Sequence, residues 1–214
     1  SGNDSITGSS GADNVSAGDG DDTLSFGANL LAATDTIDAG AGTDTIAITV
    51  DGTAVATLVT NAEILNLATT VDASAVDLTG SGITSVTGAG TTVSDETIAF
   101  AAVAQTGITI DLGAGIADKV TMGNAINSIT TDNVESVTGG TGADTMTVNA
   151  AGTTAITVTG GTGNDAITIG TAAVITMVAD AGGTADTLTL AGAANVTLNT
   201  GIETVTGSSG NDSI

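Results

Sequence analysis

Histidine, cysteine, proline, tryptophan and tyrosine are all absent from this chain of 214 residues, and Lys119 is its one basic side chain. Each absence removes a class of function. Without cysteine there is no disulfide framework and no thiolate metal site, and the redox compartment stays open. Without histidine there is no base poised near neutral pH, and without cysteine no thiol nucleophile, so the chain is not expected to be an enzyme. Paired carboxylates remain available for glycosidase chemistry. Phe26 and Phe100, however, are the only aromatic residues and make no platform for a sugar. Nucleic acid, anionic membrane surfaces and acidic polysaccharides each need Lys or Arg to neutralise them, and are excluded as direct partners. No apolar run approaches the roughly 18 residues of a membrane span, so no membrane insertion is expected. No basic segment leads into an apolar one as in a signal peptide, but the chain begins at Ser1 and this absence carries no weight.

What is present is acid and small aliphatic side chains. Twenty-four acidic residues give a net charge of −23, and 41% of the chain is hydrophobic, almost all Ala, Val, Ile and Leu. That hydrophobicity is too high for disorder and points to a thin aliphatic core. Compaction forces like charges together. A multivalent cation is the simplest partner that relieves the repulsion, the alternative being an acidic surface that serves solubility alone.

Glycine-rich turns ending in Asp recur along the chain, each followed by a short alternating strand. SGNDSIT, GSSGADNVS and AGDGDDTLS place Asp4, Asp13 and Asp22 nine residues apart, and AGAGTDTIA follows with Asp44. A second series, GGTGADTMT, GGTGNDAIT and AGGTADTLT, places Asp144, Asp165 and Asp186 at equal, wider intervals. LGAGIADKVT holds Asp118, one residue late in its turn and beside Lys119, which is expected to replace an ion there; GSSGNDSI closes the chain at Asp212. Such periodicity marks a repeat architecture. Strands such as Thr45–Val50 and Thr187–Leu190 alternate with period 2, aliphatic on one face and threonine on the other, and their β-branched residues suit a pleated strand. Only Ala28–Ala33 (ANLLAA) suggests a helical turn or loop cap.

One rung of about twenty residues cannot enclose its own apolar face, but stacked rungs share a continuous core. The whole chain, 1–214, therefore reads as one all-β solenoid domain. Turns with ion-binding character fall in 1–50 and 111–214, and rungs without clear ion motifs, or a local elaboration, in 51–110. Residues 1–6 and 209–214 both read SGNDSI, an offset of 208 that suggests one unit of a tandem array, though a short motif in a low-complexity chain would look the same.

The turns have a chemical logic. Glycines accept positive φ, so the backbone can curl and aim carbonyl oxygens inward, and the Asp adds a carboxylate. Calcium takes six to eight oxygen ligands in flexible geometry, and hard oxygen donors without His or Cys favour it over zinc or copper. Each Asp alone equally fits a metal-free turn closed by its own side chain. Eight of them in phase, in a chain with almost no positive charge, favour the cation. Glu135 and Glu203 stand nine residues before Asp144 and Asp212, near the opposite edge of a rung. They read as solvated strand-end charges rather than ligands of a second row of ions.

The turns GDGDD (18–22), GGTGAD (139–144) and GGTGND (160–165) resemble the calcium-binding nonapeptides of the RTX family. The threonine- and glycine-rich style, as in NVESVTGGTGAD and GIETVTGSSGND, is similar to that of RTX-bearing bacterial S-layer proteins and giant adhesins. The resemblance implies a right-handed parallel β-helix or β-roll, type I secretion, and folding outside a bacterial cell on several calcium ions. It implies metal roles for Asp4, Asp13, Asp19, Asp22, Asp44, Asp118, Asp144, Asp165, Asp186 and Asp212. Carbonyls would come from turn glycines Gly18, Gly20, Gly40, Gly42, Gly140, Gly142, Gly161, Gly163, Gly183 and Gly210. The departures from a strict nine-residue period imply ions mainly along one edge. Two functional expectations follow: a secreted or cell-surface structural element that self-associates into an array, lattice or filament with a surface anchoring partner, or an export and stability module of a larger secreted protein.

Overall fold

Alternation of small β-branched and polar residues leaves each strand with one face that must be covered, and the chain covers it by stacking strand on strand. The computed structural model describes residues 1–27, 34–49, 51–55, 59–68, 71–89, 95–149, 155–170, 174–179 and 182–214. Among these there is no helix, and the fold is a parallel β-solenoid. The segment Ala28–Ala33 lies outside the described residues.

Three parallel sheets run along the stack. The largest has eleven strands: β1 (Ser5–Thr7), β3 (Thr23–Phe26), β5 (Thr45–Ile48), β8 (Ile64–Leu67), β10 (Ser85–Thr87), β12 (Thr106–Asp111), β14 (Ser128–Asp132), β16 (Thr145–Asn149), β18 (Ala166–Ile169), β20 (Thr187–Leu190) and β22 (Thr204–Thr206). The chain between paired strands varies in length: Ser128 pairs with the nearby Thr145, whereas Ser85 reaches its partner Thr109 only after a longer excursion. The rung length expected from the sequence is thus an average, with loops absorbing the variation.

Returning strands build the other two sheets. A three-stranded sheet holds β2 (Asn14–Ser16), β4 (Thr36–Asp38) and β7 (Val59–Thr60). An eight-stranded sheet holds β6 (Gly52–Val55), β9 (Asp72–Asp77), β11 (Thr97–Phe100), β13 (Lys119–Thr121), β15 (Ser136–Thr138), β17 (Ile156–Thr159), β19 (Val174–Ala179) and β21 (Asn195–Leu198). Both β6 and β7 lie between β5 and β8; β7 pairs back to β4, and β6 starts the ladder to β9. The rungs therefore continue through the described residues of 51–110, with one rung carrying an extra short strand where the return face changes sheet.

Inward residues of all three sheets form one core. Leu24, Phe26, Ile46, Leu65, Leu67, Ile110, Met146 and Ile167 come from the large sheet, Ile37 and Val59 from the small one, and Ile98, Val120, Val137 and Val158 from the third. Outward partners in the same strands are mostly Thr and Ser, as in the burial alternation of Thr187–Leu190. The core is narrow because aliphatic side chains from opposing strands fill it, and Phe26 is its one fully buried aromatic residue.

Candidate metal centre

The residue that immediately precedes a strand of the large sheet stands in a column, seen from Asp4 to Glu63 and again from Gln105 to Glu203. The N–H of Asp4 donates to Oδ1 of Asp22 (2.7 Å), that of Asp22 to Oδ1 of Asp44 (2.7 Å), and that of Asp44 to Oε2 of Glu63 (2.7 Å). Further along, Gln105 N–H donates to Asn127 Oδ1 (3.0 Å) and Asn127 N–H to Asp144 Oδ1 (2.8 Å). Asp144 then donates to Asp165 (2.7 Å), Asp165 to Asp186 (2.7 Å), and Asp186 to Glu203 (2.8 Å). Each carboxylate thus satisfies the amide of the preceding rung, a charge-assisted hydrogen bond that replaces a backbone pair at the corner.

A second column precedes the return strands. Asp13 N–H donates to Asp35 Oδ1 (3.0 Å), Glu96 N–H to Asp118 Oδ1 (2.7 Å), Asp118 N–H to Glu135 Oε2 (3.0 Å) and Ala194 N–H to Asp212 Oδ1 (3.2 Å). Asp13 precedes β2 and Asp212 accepts the amide of the residue before β21, so both fall on the opposite edge from Asp4, Asp22 and Asp44. The acidic positions therefore line two edges and not mainly one. Glu135 and Glu203 are members of these columns, accepting backbone amides, and not merely solvated charges as the sequence suggested.

The second oxygen of each carboxylate distinguishes the turns. In Asp13, Asp144 and Asp212 it closes the residue's own turn, accepting the N–H of Ser9 (2.9 Å), Gly140 (3.1 Å) and Ser208 (2.7 Å) respectively. In Asp22, Asp44, Asp118 and Asp186 it is buried and accepts no hydrogen bond. A buried carboxylate oxygen with no donor is costly, and a bound cation or a proton removes the cost.

Asp118 shows the strain electrostatically. Burial first, and then the neighbouring charges of Glu135 and Glu96, push its carboxyl up to about 7, against the hydrogen bond from Glu96 N–H. Burial, with the charge of Asp95 adding to it, also raises Glu135, against the amides of Asp118 and Glu135 itself. Asp212 goes the other way: desolvation is outweighed by hydrogen bonds from the amides of Ser208 and Ala194 and the Ser208 hydroxyl, and its carboxyl is lowered. Lys119 is exposed and leaves Asp118 Oδ2 without a hydrogen bond, so it does not take the place of an ion there.

The turns leading to these acids pack backbone on backbone. Gly18, Gly20, Gly40, Gly42, Gly161 and Gly163 all have positive φ. A Cβ at Gly40 would collide with the carbonyl oxygen of Gly18, and one at Gly42 with that of Gly20. The second series repeats this: Gly140 faces Gly123 O, Gly142 faces Ala125 O, Gly161 faces Gly140 O, Gly163 faces Gly142 O and Gly183 faces Gly163 O. Carbonyl oxygens thus point from each turn into the next, where glycine alone leaves room. Asp19 contributes its carbonyl, which accepts the Gly2 N–H (2.6 Å), while Gly210 N–H donates to Ser208 Oγ (3.0 Å).

Stacked carbonyls beside donor-less buried carboxylates suit a hard divalent cation such as calcium. Among the described residues no three acidic side chains converge as a metal cluster, so an ion would rest largely on backbone carbonyls with one or two carboxylates. Sequence reasoning missed Asp35, Glu63, Glu96, Gln105 and Asn127. All five precede a strand, a signal visible when the alternating strands rather than the glycines are aligned.

A family model for the RTX calcium-binding nonapeptide repeat matches four copies, over residues 1–29, 32–47 and 197–214. These stretches hold the acids spaced by nine and leave out the turns ending at Asp144, Asp165 and Asp186. No curated protein matches the chain, and no solved structure does.

Proposed function

We propose that this chain, which carries RTX calcium-binding nonapeptide repeats, is a calcium-dependent extracellular structural element whose solenoid closes as ions enter its turns. The observation that carries the reading is the set of buried, donor-less oxygens of Asp22, Asp44, Asp118 and Asp186. Three of these, Asp22, Asp44 and Asp186, lie at the ends of glycine turns whose carbonyls already face one another. Asp22, Asp44, Asp144, Asp165 and Asp186, with carbonyls from Gly18, Gly20, Gly40, Gly42, Gly140, Gly142, Gly161, Gly163 and Gly183, are the residues that would hold calcium on the first edge. Asp4, Asp13, Asp118 and Asp212 extend the set to the ends and the second edge. Bound calcium supplies positive charge between rungs whose carboxylates otherwise repel. Any ligand that binds the folded state alone adds stability by mass action, about 2.7 kcal/mol per site at a hundredfold excess over its Kd.

Extracellular calcium would then drive folding, while a calcium-poor cytosol keeps the chain loose for export from a bacterial cell. A role in surface assembly, as an S-layer unit, filament or adhesin repeat, is supported by the threonine-rich outward faces of the stacked strands. A structural role in place of a catalytic one is supported by the lack of His and Cys.

The test is a calcium titration of EDTA-treated protein followed by circular dichroism and light scattering. A gain of β structure with growing particles is expected; a gain without growth removes the assembly role and leaves an export or spacer module. Full β structure in EDTA, unchanged by calcium, overturns the calcium reading.

A further inference from the structure

The first column is not acidic throughout. In two consecutive rungs its member is a neutral, buried side chain, Gln105 and then Asn127, and in the rung before them the buried Ser81 closes the turn that leads to β10. Asn127 is the most telling. Its Oδ1 accepts the amide of the preceding rung, Gln105 N–H, as Asp Oδ1 does elsewhere in the column. Its Nδ2 therefore occupies the place that Oδ2 occupies in an aspartate. From there it donates to the carbonyls of Gly123 (3.1 Å) and Ala125 (2.8 Å) in its own turn, and to Asp144 Oδ1 of the next rung (3.0 Å). Three oxygens from two stacked turns thus converge on one positively polarised group.

Gln105 and Ser81 close their turns by related means. Gln105 accepts Leu78 N–H at Oε1 (3.2 Å) and donates from Nε2 to Val103 O (3.3 Å) and Asp77 Oδ1 (3.4 Å). Ser81 donates its hydroxyl to Leu78 O (2.8 Å) and accepts Ile83 N–H (3.1 Å). On either side of this block, Asp22, Asp44 and Asp186 present an oxygen that no donor meets.

We infer that the Asn127 amide does in its turn what a bound cation does in the acidic turns, so that the first edge of the solenoid is held closed without calcium from Ser81 to Asn127. This rests on the calcium reading of the acidic turns and adds that, along the first edge, ion dependence is confined to the two flanking arms, Asp118 standing on the second edge. The central first-edge turns are the ion-independent segment on which the turns of the arms, up to Asp44 and from Asp144 onward, close when calcium arrives.

Hydrogen exchange of the full chain, in EDTA and in millimolar calcium, tests this directly. Amides of 78–84, 101–106 and 123–128 are expected to stay protected in EDTA, while those of 18–23, 40–45 and 161–166 exchange at least tenfold faster there than in calcium. Asn127→Asp is expected to bind one further calcium ion per chain by equilibrium dialysis and to make protection of 123–128 calcium-dependent. Central turns that open in EDTA together with the acidic arms overturn the inference and leave the calcium reading standing. So does an Asn127→Asp variant with unchanged stoichiometry and unchanged protection in EDTA. Should that variant fail to fold, Gln105→Glu puts the same question to the neighbouring rung, and the wild-type exchange pattern decides independently. A wild-type chain that binds no calcium and shows no calcium-dependent protection in any turn overturns both readings at once.

Discussion

At the scale of the residue, the chain repeatedly places an acid where its surroundings disfavour a charge. Asp118 is the clearest case, buried between Glu96 and Glu135 with one oxygen lacking a donor. Its carboxyl titrates at about 7 in the folded chain, against a reference value of about 3.9. A raised carboxyl means that the folded state binds the proton more tightly than the unfolded state does. The stability associated with it is fully present below the unfolded value and is lost as pH rises through the folded one. In EDTA, the advantage of Asp118→Asn over the parent should therefore grow as pH rises from about 4 to about 7 and level off above that, as read by urea denaturation at each pH. A difference independent of pH would show that Asp118 keeps its charge at no cost. Asparagine is the informative replacement because Asn127 already shows a carboxamide serving in a column of this kind.

At the scale of the element, the unit is the turn and the strand it leads into. The strand was the more legible half. Its alternation is local and has one explanation, so Thr45–Ile48 and Thr187–Leu190 were readable from the residues alone. The glycine turns were readable for the same reason: Gly18, Gly20, Gly161 and Gly163 require a backbone that other residues avoid. What the residues did not reveal was which edge each acid joins. Rungs differ in length, as the pairings of Ser128 with Thr145 and of Ser85 with Thr109 show, so a count from one Asp to the next does not fix the edge. Asp13, nine residues from both Asp4 and Asp22 in sequence, belongs to the other edge. Asn127 and Gln105 were overlooked because they follow turns lacking the glycine pattern and carry no charge, yet they hold the same place in the ladder. The stacking of turns makes a specific demand at Gly163, where φ is +137° and a Cβ would strike the Gly142 carbonyl. Gly163→Ala should lose about 1–3 kcal/mol in calcium-containing buffer from backbone strain, with more lost if the carbonyl is pushed aside. Equal denaturation midpoints for variant and parent would mean that the turns have room to spare and do not pack as described.

At the scale of the whole molecule, two distinct electrostatic problems coexist, and they respond to different remedies. One is diffuse: a net charge of −23 spread along a solenoid, much of it on exposed residues such as Asp19 and Asp21. The other is local: buried oxygens at Asp22, Asp44, Asp118 and Asp186 that no donor meets. Monovalent salt addresses the first, because at about 1 M the screening length falls to roughly 3 Å. It does little for the second, since screening by mobile ions is weak in the interior and an oxygen without a partner still lacks one. Sodium chloride near 1 M in EDTA should therefore recover part of the β-sheet signal, whereas millimolar calcium, contributing almost nothing to ionic strength, should recover all of it. If salt alone restores the full signal and the full melting temperature, net repulsion is the whole obstacle to folding, and the carboxylates act through their number and not through their position. If salt restores nothing, the local sites dominate, and the surplus surface charge is tolerated because the solenoid is long and thin enough to keep its like charges apart.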